Sequence, residues 1–165
     1  MSSTEILPAA RAGSVVFGGD LSVNRMGYGA MRITGPGIWG PPADVPGAIA
    51  TLRRAVELGV NFIDTADSYG PDVSEELIAK ALWPYPAGLV IATKAGWTRH
   101  GPGVWQHNAA PAHIEQAIEG SLRRLRLERI DIYQLHVPDP AVSFDASMEA
   151  LARLREQHKI RHVAL

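Results

Sequence analysis

The chain has 165 residues, 46% of them hydrophobic, which is enough to bury a core and is typical of one domain, residues 1–165. A formal net charge of −1 gives no electrostatic basis for binding nucleic acid or an anionic membrane surface. The absence of cysteine excludes disulfides and thiolate metal sites.

The first residues, 1–14, lack the basic start and continuous apolar segment of a signal peptide. No apolar run of about 18 residues, the minimum for a membrane span, occurs elsewhere. We therefore expect a cytoplasmic protein with no membrane partner.

The first third of the chain predicts a hairpin, a strand and a helix. Residues 14–19 and 21–26 flank a Gly-Asp turn, which favours a β-hairpin. Residues 24–31 predict the first strand of a larger sheet, followed by a loop rich in Gly and Pro at 35–46. Apolar residues at helical spacing then predict a helix from Pro46 to Gly59.

The segment NFIDTADSYG, residues 61–70, predicts a buried strand that ends in a carboxylate, Asp64, with a phenol, Tyr69, on the loop beyond it. Two later strands also end in polar groups, Lys94 in residues 89–96 and His136 in residues 130–137.

Side chains alternate along a strand, so Asp64 shares a side with Phe62, Lys94 with Ala92, and His136 with Gln134. If these strands are parallel neighbours, the three polar groups lie at the carboxyl edge of one sheet, where α/β enzymes place their chemistry.

Three more helices alternate with the strands. Ser74 is predicted to cap the second, with Glu75 and Glu76 in its first turn, where acidic side chains favour the helix dipole. A third starts at Pro111, and a fourth carries Phe144, Met148, Leu151 and Leu154 on one face. Repeated strand-then-helix order predicts a parallel sheet with right-handed crossovers.

Several polar groups have simpler interpretations. The long loop 95–110 is expected to form a pocket wall, and its Trp97 and Trp105 lie among Gly, His and Asn. His100, His107 and His113 have no metal-ligand spacing and are expected to face solvent, so no metal site is predicted. The arginines of 123–129 are expected to form a solvated helix face.

The chain resembles the aldo-keto reductases, a family of (β/α)₈ barrels that use an Asp, Tyr, Lys and His tetrad with a nicotinamide cofactor. The resemblance rests on GYGAMR (27–32), NFIDTADSYG, the ATK of 92–94, RLRLERIDIYQLH (124–136) and KIRHVAL (159–165). Residues 33–42, ITGPGIWGPP, resemble the branch that includes bacterial pyridoxal reductases. A complete barrel of this type has about 250 residues, so we expect a TIM-type barrel with only the first four to five β/α units present.

The resemblance implies an oxidoreductase that uses NADPH to reduce a small-molecule carbonyl compound. Tyr69 would donate the proton, Lys94 would lower the pKa of its phenol, and Asp64 would pair with Lys94. His136 would donate a hydrogen bond to the carbonyl oxygen. Gly29, Ala30 and Met31 would lie under the nicotinamide, with Asp64 near its ribose.

Each tetrad residue alone has a structural explanation, such as a strand-end turn for Asp64 or a partly buried histidine for His136. Two other functions therefore stay open. The half-barrel could be a catalytically silent assembly module that associates through open sheet edges. Lys94 could instead form a Schiff base, as in a lyase or aldolase.

Overall fold

The computed structural model describes residues 6–165 and has one main parallel sheet with helices on its outer face. The first segment, 1–14, in which no signal peptide is expected, lies partly outside this range. In chain order the strands and α-helices are β1 Ser14–Phe17, β2 Leu21–Asn24, β3 Tyr28–Gly29, α1 Val45–Glu57, β4 Phe62–Asp64, α2 Val73–Leu82, β5 Val90–Ala95, β6 Trp97–Gly101, β7 Val104–His107, α3 Pro111–Leu125, β8 Ile130–Leu135, α4 Phe144–Glu156 and β9 Ile160–Ala164. Short 3-10 helices span Pro8–Ala12, Ala30–Ile33 and Pro36–Ile38.

The main sheet has the order β3-β4-β5-β8-β9, and every neighbouring pair is parallel. One α-helix joins each strand of this sheet to the next. The predicted β/α alternation is therefore confirmed, and so is the partial (β/α) barrel. Parallel pairing brings the carboxyl ends of all five strands to one rim.

The predicted hairpin is also confirmed, as β1 paired with β2. It covers the amino-terminal end of the sheet, where Leu21 and Val23 pack against Val90, Ala92 and Ile132. By strand alternation Val90 and Ile132 share the inner face with Lys94 and His136, and each is only 3% exposed because the hairpin shields it.

Helices bury the outer face of the sheet in two large clusters. Leu52 of α1 and Ile78 of α2 pack with Ile63 of β4, while Ile118 of α3 and Leu151 of α4 lie in a second cluster. Burial of such side chains stabilises the fold by about 1.5 to 3 kcal/mol each. The inner face remains for the hairpin and the polar rim.

Four local expectations are corrected by the structure. The predicted loop 95–110 forms an antiparallel hairpin, β6–β7. Ser74 is not a cap: α2 begins at Val73 with Asp72 at the N-cap position, and Ser74 is buried inside it. Phe144 is 46% exposed and does not share the buried face of α4. The strand predicted at 24–31 is reduced to Tyr28–Gly29.

The arginine cluster is only partly solvated. Arg124 forms ion pairs with Asp72 and the fully buried Glu75, so it belongs to the α2–α3 contact. The pattern of α3 alone places Arg124 beside exposed residues. Its burial depends instead on Asp72 and Glu75, which are distant in sequence. Within residues 6–165, no helix is long and apolar enough to cross a membrane.

Candidate active site

The polar rim is organised around an ion pair between Lys94 and Asp64. The Lys94 Nζ atom lies 2.7 Å from Asp64 Oδ2 and donates a second hydrogen bond to the Thr65 carbonyl oxygen at 2.8 Å. The Lys94 side chain is only 9% exposed, whereas that of Asp64 is 34% exposed. The pair therefore presents its carboxylate, not its ammonium, to the open side of the rim.

Tyr69 and His136 complete the group predicted from the sequence. Their ring centroids lie 5.7 Å apart in an edge-to-face arrangement, and Lys94 Nζ lies 5.2 Å from the Tyr69 ring centroid. His136 directly follows β8, and Tyr69 lies on the turn between β4 and α2. All four predicted side chains thus meet at the carboxyl ends of three adjacent strands, β4, β5 and β8.

The environment makes Tyr69 a weak acid. Burial, followed by the negative charges of Asp64 and Asp67, raises the pKa of Tyr69 to about 12. This direction is opposite to the expected lowering by Lys94, whose charge is already compensated by Asp64. At neutral pH the phenol therefore keeps its proton and is available as a donor.

His136 is held in its neutral form. Burial, followed by the positive charge of Lys94, lowers the pKa of His136 to about 4, while Asp64 acts in the opposite direction. A neutral imidazole has one N–H donor and one acceptor nitrogen. With Tyr69, the rim therefore offers two uncharged donors beside one ion pair.

Gln134 belongs to this site although the sequence reasoning assigned it no role. Its Nε2 donates a hydrogen bond of 3.0 Å to Asp64 Oδ1, and it pairs in register with Lys94 across β5 and β8. Each Asp64 oxygen thus has a partner. Strand parity could have indicated Gln134, because it shares the inward side with His136.

Of the residues expected to hold a cofactor, Gly29 has an open side, whereas the Ala30 side chain is packed in the core. Gly29 pairs in register with Asp64 across β3 and β4, and a Cβ built on Gly29 meets no atom within 4 Å. The backbone is therefore open on this side, next to the partly exposed Asp64 carboxylate. The Ala30 side chain instead packs in the outer core, and the half-buried Met31 accepts a hydrogen bond from Thr34 through its carbonyl oxygen.

Hydrogen bonds on the outer face fix the backbone beneath the rim. Ser74 Oγ lies 2.8 Å from Thr65 Oγ1 and donates to the Ala30 carbonyl oxygen at 3.1 Å. Thr93 Oγ1 donates to Glu75 Oε1 at 2.5 Å. Residues next to Gly29, Asp64 and Lys94 are thereby fastened to α2.

An aromatic wall formed by Trp97, Trp105 and His107 stands on the β6–β7 hairpin beside His136. The Trp97 ring lies 4.5 Å from His107, 5.7 Å from Trp105 and 6.4 Å from His136 between centroids. His107 is exposed, as expected, and one face of its ring also contacts Trp97. His100 is exposed, whereas His113 is partly buried and burial lowers its pKa. In the described part of the chain, no group of three or more His, Asp or Glu side chains is placed to hold a metal ion.

Comparison with known proteins identifies the family. The chain matches the Aldo/keto reductase family over residues 25–165. An uncharacterized oxidoreductase of Schizosaccharomyces pombe is 49% identical over 164 residues, covering 99% of this chain and 53% of that protein. Pyridoxine 4-dehydrogenase of Escherichia coli is 43% identical over 153 residues, covering 89% of this chain and 54% of that enzyme.

Solved structures agree with this assignment. The glycerol dehydrogenase of Gluconobacter oxydans superposes with a TM-score of 0.81 at 35% identity, covering 92% of this chain and 47% of that one. An aldo-keto reductase from Klebsiella pneumoniae in complex with NADPH gives a TM-score of 0.72 at 27% identity, with 91% and 48% covered. The chain belongs to the aldo/keto reductase family and spans about half the length of the curated relatives it matches.

The lowered pKa of His136 predicts a specific pH dependence of stability. In the unfolded chain the His136 imidazole has a pKa of about 6.5, whereas in the folded protein its pKa is about 4. The unfolded chain therefore binds a proton at His136 more readily than the folded protein does. The contribution of His136 is therefore complete above about pH 6.5 and is lost as the pH falls towards 4.

We expect His136→Gln to weaken the fall in the free energy of unfolding between pH 7 and pH 4.5. Urea denaturation at both pH values measures it, with the exposed His100→Gln as the control. An equal pH dependence in all three proteins would contradict the buried neutral imidazole.

Proposed function

We propose that the chain contributes the proton-transfer half of an NADPH-dependent oxidoreductase that reduces aldehydes or ketones to alcohols. The convergence of Tyr69, His136 and the Lys94–Asp64 pair on one rim carries this proposal. Membership of the aldo/keto reductase family supports the reaction type.

A nicotinamide held beside Gly29 and Asp64 would supply a hydride to the carbonyl carbon. Tyr69 donates its proton to the oxygen as negative charge develops there, which its protonated state at neutral pH permits. Neutral His136 donates an N–H to the same oxygen and orients the substrate. Lys94 lies over the Tyr69 ring, with Nζ 5.2 Å from the ring centroid, and its pairing with Asp64 fixes its position there.

NADPH is the proposed cofactor. Gly29 offers an open backbone surface next to Asp64, and a Klebsiella pneumoniae relative with the same fold was solved in complex with NADPH. Asp64 would accept a hydrogen bond from the ribose through its carboxylate, since its side chain is 34% exposed. Residues 29–31 would contribute mainly backbone, since the Ala30 side chain is fully buried on the outer side.

Pyridoxal is the proposed candidate substrate. The Escherichia coli relative at 43% identity is named for pyridoxine, the alcohol that corresponds to this aldehyde. The aromatic wall of Trp97, Trp105 and His107 lies beside His136 and suits a flat ring.

Schiff-base chemistry at Lys94 is less well supported. Two hydrogens of its ammonium are engaged by Asp64 and the Thr65 carbonyl oxygen, and the side chain is 9% exposed. A carbonyl substrate would have to displace both partners to reach Nζ. Borohydride trapping of pyridoxal on Lys94 distinguishes this alternative from the reductase.

Replacing Tyr69 tests the proposed proton donor. In a version of the chain extended to the length of its relatives, Tyr69→Phe should reduce NADPH-dependent pyridoxal turnover by about 10² to 10⁴. NADPH binding should persist, because the hydroxyl is not proposed to contact the cofactor. Tyr28→Phe is the control, since its ring packs in the outer core. Wild-type turnover in Tyr69→Phe would remove the residue from its proposed role.

For the 165 residues alone we predict weak cofactor binding. The resemblance places most contacts to the adenosine phosphate on later strands, and (β/α)₈ barrels gather phosphate sites after strands seven and eight. NADPH fluorescence should show no saturable binding at micromolar concentrations. A clear 1:1 endpoint would show that these residues suffice to hold the cofactor.

A second candidate function, a catalytically silent assembly module, is favoured by the open sheet edges. In the described part of the chain, β3 and β9 each have a strand partner on one side only. Unpaired strand edges are templates for pairing with another chain. The hairpin shields the inner apolar face, so the edges would drive association.

Self-association is therefore predicted for the 165-residue chain. Two copies could pair their free edges, or the chain would aggregate. Light scattering at low micromolar concentration should show a species larger than 17.8 kDa. A monodisperse monomer that unfolds cooperatively on heating would contradict this prediction.

A further inference from the structure

Arg99 is a buried cation outside the predicted tetrad. It lies on β6 and is 8% exposed, and burial lowers its pKa. Its guanidinium Cζ lies 3.6 Å from the Trp105 ring centroid and 5.8 Å from that of Trp39. It therefore lies beside two indoles, one on β7 and one on the loop after β3.

All five hydrogen bonds of Arg99 end on backbone carbonyl oxygens. Nη1 donates to Ser68 at 2.8 Å and to Ile38 at 3.0 Å. Nε donates to Val104 at 3.0 Å, and Nη2 donates to Gly37 at 3.0 Å and to Gly101 at 3.4 Å. The acceptors belong to the loop after β3, the loop after β4 and the β6–β7 hairpin.

The same loops also bond to one another around Tyr69. The Gly70 N–H donates to the Ile38 carbonyl oxygen at 3.3 Å, and the Gly40 N–H donates to that of Gly70 at 2.5 Å. Trp39 forms an isolated parallel bridge with Gly70. Tyr69 is thus held between Ser68, bound by Arg99, and Gly70, bound by the loop that Arg99 also binds.

Only an arginine can satisfy this arrangement. Its planar fork has five N–H donors in fixed directions, whereas a lysine ammonium is a single point with three. A side chain without donors would remove the hydrogen bond to the carbonyl oxygen of the buried Ser68, and it would leave those of Ile38 and Gly37 only with the N–H groups of Gly70 and Gly103. The N–H groups of Arg99 already donate to carbonyl oxygens of this chain, which leaves the guanidinium little capacity to bind a substrate anion.

We propose that Arg99 is a positioning residue that fastens the three rim loops and thereby holds the Tyr69 ring in place against His136 and Lys94. The consequence for turnover rests on the proposed function. The fastening itself does not, because it concerns the backbone of this chain alone.

Hydrogen exchange measures the fastening. We expect Arg99→Met and Arg99→Lys to accelerate amide exchange about tenfold or more in residues 36–41 and 65–72. Exchange in α3 and α4 should stay at the wild-type rate. The control is Arg53→Met, which removes a single guanidinium-to-carbonyl bond, to Ala81, away from the rim.

Unchanged exchange at 65–72 in both Arg99 variants would overturn the proposal. Equal acceleration throughout the chain would also overturn it, since Arg99 would then act on global stability. If Arg99→Met does not fold, the comparison between Arg99→Lys and wild type decides the outcome.

Turnover supplies the second readout, in the version extended to the length of the relatives. A displaced Tyr69 should lower kcat by about 10²-fold with the KM for NADPH unchanged, after correction for the folded fraction. Accelerated exchange with wild-type kcat would contradict positioning. A wild-type protein without turnover would contradict the proposed function instead, and exchange would still decide whether Arg99 fastens the loops.

Discussion

Glu75 of α2 is a fully buried carboxylate, and its contacts hold α2 against strand β5 and helix α3. It accepts hydrogen bonds from Thr93 of β5 at 2.5 Å and from Arg124 of α3 at 2.6 Å. Removing one partner of such a buried pair typically costs about 3 to 5 kcal/mol, because the other charge is left uncompensated. The contact therefore sets how α2 lies against the sheet, and α2 follows directly from the loop that carries Tyr69.

The outer contacts of α2 determine positions on the inner face because side chains alternate along a strand. Thr93 and Thr65 point outward to Glu75 and Ser74, so their neighbours Lys94 and Asp64 point inward. The contacts of Thr65 and Thr93 on the outer side of the sheet therefore help to position the 2.7 Å ion pair between these inward residues. This explains why a helix remote from the rim's open side governs the geometry of its reactive groups.

The features that could be predicted from the sequence are those that depend on the local pattern of residues along each strand and helix. Alternation and strand order were enough to bring Asp64, Lys94 and His136 together. The burial of Glu75 was not predictable in this way, because it requires Arg124, a partner 49 positions later in the chain. The β6–β7 hairpin was missed for a related reason: Arg99 of β6 donates to the carbonyl oxygens of Gly37 and Ile38, which lie on a loop 61 to 62 positions earlier.

Desolvation links these contacts to chemistry. Burial is the largest cause of both pKa shifts at the rim, raising that of Tyr69 to about 12 and lowering that of His136 to about 4. Both shifts leave an uncharged group that can donate a hydrogen bond at neutral pH. The charges of Lys94 and Asp64 compensate one another. An oxygen that gains negative charge here would consequently meet two neutral donors held in a preformed rim, and little reorganisation would be needed as that charge develops.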